Sequence, residues 1–142
     1  MSGGEVVPGP GEMHTPVILL AEDDVLVRFT TAETLRDAGY VVLEAVDASE
    51  ALSLIGTGHP LDLVLTDVRM PGDMDGIALT YAIKQLRPNL PVVLVSSHLE
   101  PNAKHAGEAF LAKPYHPAEL IKLVEQMVGA EWQTQYKSPT AS

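Results

Sequence analysis

The chain has 142 residues, of which 46% are hydrophobic, so it is long and apolar enough to bury the core of one compact domain. It contains no cysteine, which excludes disulfide bonds and thiolate metal sites. A formal net charge of −10 argues against nucleic-acid binding, and no apolar run approaches membrane-spanning length, so we expect a cytoplasmic protein with protein partners.

Three segments differ in composition, and the middle one is the predicted domain. Residues 1–16 contain four glycines and three prolines without a hydrophobic period, so we interpret them as a flexible leader. Residues 17–129 carry regular apolar patterns and form the predicted domain. Residues 130–142 are mostly polar and are interpreted as a partly disordered tail.

Short apolar runs predict five β-strands, most of them buried on both faces of a parallel sheet. The runs comprise residues 17–21, 40–43, 63–66, 92–95 and 109–112. The charged residue Glu44 directly follows the second run, so we expect this strand nearer an edge of the sheet.

Helical patterns separate these strands. The first helix is predicted to place Leu26, Phe29, Leu35 and Ala38 near one face and to end at Gly39. A second helix begins at a capping-box pattern at residues 47–50, and a third ends before the proline at position 88. A fourth helix is placed within residues 100–108, and a fifth runs from about residue 117 to residue 129. Inner faces of the second, third and fifth helices are assigned to Ala51, Leu52, Ile55, Leu79, Ile83, Leu86, Leu120, Val124 and Met127.

Five strands alternating with five helices predict an α/β fold. Right-handed crossovers place helices on both faces of the sheet. The expected architecture is a doubly wound, flavodoxin-like parallel sheet with strand order 2-1-3-4-5.

Polar residues follow four of the predicted strands, and they define the candidate site. These residues are Glu22 and Asp23 after the first strand, Asp67 after the third, Ser96 after the fourth, and Lys113 after the fifth. In open α/β sheets the ligand crevice lies at the carboxyl ends of the strands. Carboxylates gathered there repel one another unless a cation lies between them, and Mg²⁺ suits an all-oxygen site. The pattern therefore indicates phosphoryl transfer to Asp67 with Mg²⁺ as cofactor.

Each residue also has an ordinary structural explanation. An aspartate after a strand often caps a helix or a turn, and this is the favoured interpretation of Asp24. Ser96 could satisfy local backbone groups, and most lysines are surface residues. Against this, Lys113 ends an apolar strand and precedes Pro114, where a cis bond could direct the amine into the crevice.

The set Glu22-Asp23, Asp67, Ser96 and Lys113-Pro114 resembles the receiver domain of bacterial two-component response regulators, over about residues 17–128. Residues 66–72, followed by residues 74–76, look like the phosphoacceptor loop of that family. The resemblance implies that Asp67 is the phosphorylated aspartate. It also implies a role for Lys113 in pairing with phosphoryl oxygens.

The resemblance implies further roles around this residue. Asp23 and Asp67 would bind Mg²⁺ directly, Glu22 through water, and Arg69 through its backbone carbonyl. Ser96 would be the switch hydroxyl, although Ser97 is also conceivable. Phe110 would be the aromatic residue whose rotamer responds to phosphorylation, and Arg69 and His98 could tune the phosphoryl lifetime.

The resemblance also implies partners. A histidine kinase or histidine phosphotransfer protein would donate the phosphoryl group. Phosphorylation would then switch the surface between Glu100 and Val128 for binding to a downstream protein, or the protein would relay the phosphoryl group onward from Asp67. We expect a monomer or weak dimer that binds neither nucleic acid nor membrane. It would catalyse only its own phosphorylation and dephosphorylation, as a stand-alone response regulator or as a receiver from a larger sensor kinase.

Three other functions compete with this prediction. An aspartate-nucleophile phosphatase also phosphorylates an aspartate at a strand end, but it needs a second aspartate at the position that Arg69 occupies. A binding module independent of phosphorylation is less consistent with a complete acidic site. No phosphate-binding glycine motif follows the first strand, which argues against a nucleotide-binding protein.

Overall fold

The computed structural model describes residues 15–98 and 106–129. The elements within these ranges are β1 Val17–Ala21, α1 Val25–Asp37, β2 Val41–Ala45, α2 Ala48–Gly56, β3 Leu63–Asp67, α3 Gly76–Leu86, β4 Val92–Ser96, β5 Ala109–Ala112 and α4 Pro117–Val128. The helix predicted within residues 100–108 falls mostly outside the described residues. The same is true of nearly all of the predicted leader and of the tail.

The five strands form one parallel sheet with the order β2-β1-β3-β4-β5, as predicted. Register brings the strand ends to one level: Ala21 pairs with Thr66, and Ser96 pairs with Ala112. The residues that follow these strands therefore emerge side by side at the carboxyl edge of the sheet. This confirms the flavodoxin-like fold and places the candidate residues at one edge.

Helices cover both faces of the sheet because the side chains of each strand alternate in direction. Ile18 and Leu20 of β1 belong to a buried cluster with residues of α1 and α4. Leu19 and Ala21 belong to a second cluster with residues of α2 and α3. The sheet is thus a buried layer between two pairs of helices.

Aspartates begin three of the helices by accepting hydrogen bonds from the free backbone N–H groups of the first turn. Asp24 caps α1 through Val27 N at 3.0 Å, Asp47 caps α2, and Asp75 caps α3. After α1, Gly39 adopts a φ of 101°, a left-handed conformation that glycine adopts without strain. The expected cap at Asp24 and the expected end at Gly39 are both confirmed.

The predicted buried face of α1 is wrong in its first half. Leu26 and Phe29 are 72% and 59% exposed, whereas Thr31, Ala32 and Leu35 are buried. The inner face of α1 includes polar residues that form hydrogen bonds inside the protein, such as Thr31 with Tyr115. The pattern of apolar residues therefore predicts the wrong inner face for this part of the helix. In α3 the predicted inner residue Leu86 is likewise exposed, at the last position of the helix.

The second strand lies at the edge of the sheet, as expected, but it continues through Glu44 to Ala45. Arginines on α1 satisfy the Glu44 carboxylate, so the charge does not end the strand. Among the described residues, no helix has both the length and the apolar character needed to cross a bilayer.

Candidate functional site

Three carboxylates converge at the carboxyl edge of the sheet. Glu22 and Asp23 lie in the turn between β1 and α1, and Asp67 is the last residue of β3. One carboxylate oxygen from each residue lies within 4.8 Å of the others. Glu22 is buried and Asp23 is exposed, so the group is open to solvent on one side. This set of hard oxygen donors suits Mg²⁺, which retains several water ligands in protein sites.

Lys113 joins the two more buried carboxylates of this group. Its ammonium Nζ donates to Asp67 Oδ1 at 2.8 Å and to Glu22 Oε1 at 2.9 Å. Burial lowers the pKa of Lys113, but hydrogen bonds to Asp67 and Glu22 outweigh this effect and raise the pKa overall. The lysine therefore remains a cation fixed beside Asp67.

Asp67 is a carboxylate in an unfavourable environment. Burial, together with the negative charge of Glu22, raises the pKa of Asp67 from 3.8 to about 6, although Lys113 opposes the rise. Its side chain is only 11% exposed. A cation bound to the three carboxylates would favour the ionised form of Asp67, because its positive charge would replace the stabilisation by water that the carboxylate loses on burial.

Glu22 is held from several directions. Its Oε2 accepts from the backbone N–H of Asp24 at 3.0 Å, and its own N–H donates to the Ala45 carbonyl of β2 at 3.0 Å. Arg28 Nη1 donates to the Glu22 carbonyl at 2.8 Å. The backbone that carries the two acidic residues is therefore fixed by neighbouring elements.

The two candidate switch hydroxyls differ in burial. Ser96, at the end of β4, is buried, and its Oγ accepts from the backbone N–H of His98 at 3.1 Å. Ser97 is exposed, and its Oγ lies 3.2 Å from Nδ1 of His98. Ser96 is therefore the hydroxyl that faces the protein interior.

The remaining predicted residues surround this edge. Phe110 is half-buried and packs against a small cluster that includes Val68, the residue after Asp67. Arg69 and His98 are exposed. The role of the Arg69 carbonyl as a ligand stays a prediction.

The turn after β5 is joined to α1 by a hydrogen bond that the sequence did not reveal. The Lys113–Pro114 peptide bond is cis. The next residue, Tyr115, places its hydroxyl 2.9 Å from Oγ1 of Thr31. Burial raises the pKa of Tyr115, and the Thr31 hydrogen bond partly opposes the rise. This bond connects the turn that carries Lys113 to the first helix.

Gly76 permits the close approach of α3 to the phosphoacceptor candidate. Its N–H donates to the Val68 carbonyl at 2.7 Å, and a Cβ at this position would lie 1.9 Å from the Asp67 carbonyl oxygen. A side chain cannot be accommodated there without moving the backbone of Asp67. The glycine in residues 74–76 was visible in the sequence, but the contact that requires it was not.

Comparison with known proteins agrees with this geometry. Residues 18–125 match the family described as the response regulator receiver domain. The chain belongs to this family. Receiver domains are the phosphorylation-based signalling modules of two-component systems, so the chain is a receiver domain of that kind.

Several proteins resemble this receiver domain along most of its length. The transcriptional regulatory protein PdtaR of Mycobacterium tuberculosis is 40% identical over 116 residues, which cover 78% of this chain and 56% of PdtaR. A response regulator receiver protein from Sinorhizobium medicae has a TM-score of 0.76 and 30% identity, covering 83% of this chain and 98% of that one. The receiver domain from the hybrid histidine kinase CckA has a TM-score of 0.69 and 35% identity, covering 79% and 98%. The receiver spans only a quarter to about half of the length of the curated relatives NtrC, YbdJ and PdtaR.

Proposed function

We propose that Asp67 accepts a phosphoryl group from the phosphohistidine of a histidine kinase or histidine phosphotransfer protein, in a Mg²⁺-dependent reaction. The observation that carries this proposal is the contact of Lys113 with Asp67 inside a group of three carboxylates. This combination provides a nucleophile, a fixed cation and an oxygen-donor set at one sheet edge. We propose that the protein catalyses no reaction beyond its own phosphorylation and dephosphorylation.

Glu22, Asp23 and Asp67 would hold the ion, together with the backbone carbonyl of Arg69. The donor set fits Mg²⁺, since carboxylate and carbonyl oxygens are its preferred protein ligands. When bound, the ion would neutralise negative charge on the carboxylates and on the incoming phosphoryl group.

Asp67 would act as the nucleophile, with Lys113 as its fixed cation. Lys113 contacts Oδ1 of Asp67, so we expect Oδ2 to attack phosphorus. The new O–P bond forms as the N–P bond of the phosphohistidine breaks, and the imidazole takes the electron pair. The ammonium of Lys113 is positioned to donate to a phosphoryl oxygen, which stabilises charge where it develops.

Ser96 and Phe110 would report the phosphorylated state. The Ser96 hydroxyl would exchange its contact with His98 N–H for a phosphoryl oxygen, and Phe110 would repack beside Val68. Such a local electrostatic change biases a two-state packing element. We propose that it alters the surface between Glu100 and Val128 for a downstream protein.

The phosphodonor would dock against the first half of α1. Val25, Leu26 and Phe29 are 59–72% exposed, which is unusual for large apolar residues so close together. Beside them a groove of about 580 Å³ runs to Lys113 and Tyr115. Lys113 lines this groove and also contacts Asp67. A helix of the donor that lies in the groove would therefore bring its phosphohistidine close to Asp67.

The test is phosphorylation by a small donor such as acetyl phosphate with Mg²⁺, followed by intact mass measurement. We expect a gain of one phosphoryl group, abolished in Asp67→Asn and by chelation of the metal. The matched control is Asp73→Asn, which removes an exposed carboxylate from the following loop and should leave phosphorylation intact. Absence of phosphorylation in the wild type, or turnover of a phosphomonoester, would contradict the proposal.

A further inference from the structure

The peptide unit that joins the two acidic residues is held by a side chain that has no part in the proposed reaction. Arg28, in α1, donates from Nη1 to the carbonyl oxygen of Glu22 at 2.8 Å. Its side chain is only 14% exposed. A partly buried guanidinium directed at one backbone carbonyl fixes the orientation of the peptide that leads into Asp23.

The guanidinium is itself fixed by the edge strand of the sheet. Arg28 Nε donates to Glu44 Oε1 at 3.1 Å, and Arg36 Nη1 pairs with Glu44 Oε2 at 3.0 Å. Arg36 Nη2 also donates to the Val42 carbonyl at 3.0 Å. The planar fork of Arg28 thus makes two hydrogen bonds in different directions, which an ammonium group cannot reproduce with the same geometry.

We propose that Arg28 is a positioning residue that orients the Asp23 carboxylate toward Asp67 for a divalent cation; this inference rests on the proposed function. The N–H of Glu22 is held by Ala45 of β2 and the carbonyl by Arg28. The carbonyl and the next Cα lie in one rigid plane, so a fixed Glu22 carbonyl fixes the direction in which Asp23 leaves the turn. Asp23 is exposed, and this restraint acts on it through its backbone.

Charge and geometry predict opposite effects for this residue. A positive guanidinium near a cation site opposes cation binding by Coulomb repulsion, although Glu44 reduces that effect. If charge were its main contribution, removal of Arg28 would tighten Mg²⁺ binding. If positioning is its main contribution, removal weakens binding.

The experiment titrates the full chain with Mg²⁺ alone and follows the backbone amides by NMR. Arg28→Met should weaken Mg²⁺ binding by about tenfold, since loss of a group that orients a metal ligand costs roughly 10–100-fold in affinity. Arg28→Lys keeps the charge and should also weaken binding. The matched control is Arg87→Met, which removes an arginine that donates to the backbone carbonyls of His59 and Ile55 at the far end of α3, and it should bind Mg²⁺ as the wild type does.

Phosphorylation kinetics separate positioning from a general loss of structure. In Arg28→Met, the Mg²⁺ concentration for half-maximal phosphorylation should rise by the same factor, while the rate at saturating Mg²⁺ returns to that of the wild type. A general structural defect would instead lower the rate at saturation.

Unchanged or tighter Mg²⁺ binding in Arg28→Met would overturn this inference, as would equal weakening in Arg87→Met. If Arg28→Met does not fold, Arg28→Lys decides the question in the same way. If the wild-type protein binds no Mg²⁺, the proposed function fails as well. If the wild type binds Mg²⁺ and is phosphorylated, the proposed function stands, and the Arg28 variants then test only the positioning role of Arg28.

Discussion

Asp67→Asn should stabilise the metal-free protein at neutral pH. Burial and Glu22 raise the pKa of the Asp67 carboxyl from its ordinary value of 3.8 to about 6. Between these two values the folded state binds more protons at this position than the unfolded state. The free energy of unfolding therefore decreases as the pH rises through this window. Asparagine resembles the protonated carboxyl and carries no such dependence.

The size of the effect follows from the two pKa values. A difference of about two units between the two pKa values lowers the free energy of unfolding by up to about 3 kcal/mol at pH 7, relative to strongly acidic pH. About half of this decrease has occurred by pH 5. Asp67→Asn should recover the full amount at pH 7 and nothing at about pH 3. Saturating Mg²⁺ should stabilise the wild type but not the variant, because an ion that binds only the folded state shifts the unfolding equilibrium.

Urea unfolding in the presence of EDTA, repeated across this pH range, measures the difference. Glu33→Gln is the matched control, because it removes one negative charge from an exposed position of α1. Its effect should be small and should not follow the titration of Asp67. Two results would contradict this reasoning: Asp67→Asn no more stable than the wild type at pH 7, or a difference that does not shrink in acid. Either would show that the ionised Asp67 carboxylate does not destabilise the folded protein.

Two further predictions concern the residues that support the site. Gly76→Ala should destabilise the protein by about 3 kcal/mol in urea unfolding, because the new Cβ would collide with the Asp67 carbonyl. Gly56→Ala should be neutral or slightly stabilising, because a Cβ at position 56 would meet no neighbouring atom within 4 Å. An equal loss of stability in both variants would contradict this reasoning. Tyr115→Phe should cost about 1 kcal/mol by removing the hydrogen bond to α1, whereas Tyr81→Phe at an exposed position should cost nothing measurable by thermal unfolding.

The strand order and the ends of the four strands that carry the site could be predicted from the sequence because buried parallel strands have a simple signature. The edge strand β2 is the exception, since it continues through Glu44 to Ala45. Uninterrupted apolar runs define the other four strands, and the first polar residue after each run marks the carboxyl edge. For this reason Glu22, Asp67 and Lys113 could be grouped correctly although they are far apart in the chain.

The inner face of α1 could not be predicted because its polar members are satisfied by distant residues. Thr31 is buried against Tyr115, and Arg28 bonds to the Glu22 carbonyl and to Glu44. A hydrophobic pattern assigns such residues to solvent, and the apolar residues Leu26 and Phe29 then take their place in the predicted face. Only the tertiary structure shows that the polar residues face inward.

The exposed apolar residues and the buried polar ones of α1 belong to the same arrangement. By turning Arg28 and Thr31 inward, the helix ties the acidic turn and the lysine turn to one rigid element. The apolar residues of its first half then necessarily face solvent, beside the groove that leads to Lys113. The orientation of α1 about its own axis thus has two consequences: it supports the acidic site, and it exposes the surface at which we expect a phosphodonor to dock. If the two sides of α1 have these two roles, the two variants should affect different steps. Arg28→Met should weaken Mg²⁺ binding. A polar substitution of Phe29 should slow phosphotransfer from a protein donor and leave phosphorylation by acetyl phosphate unchanged.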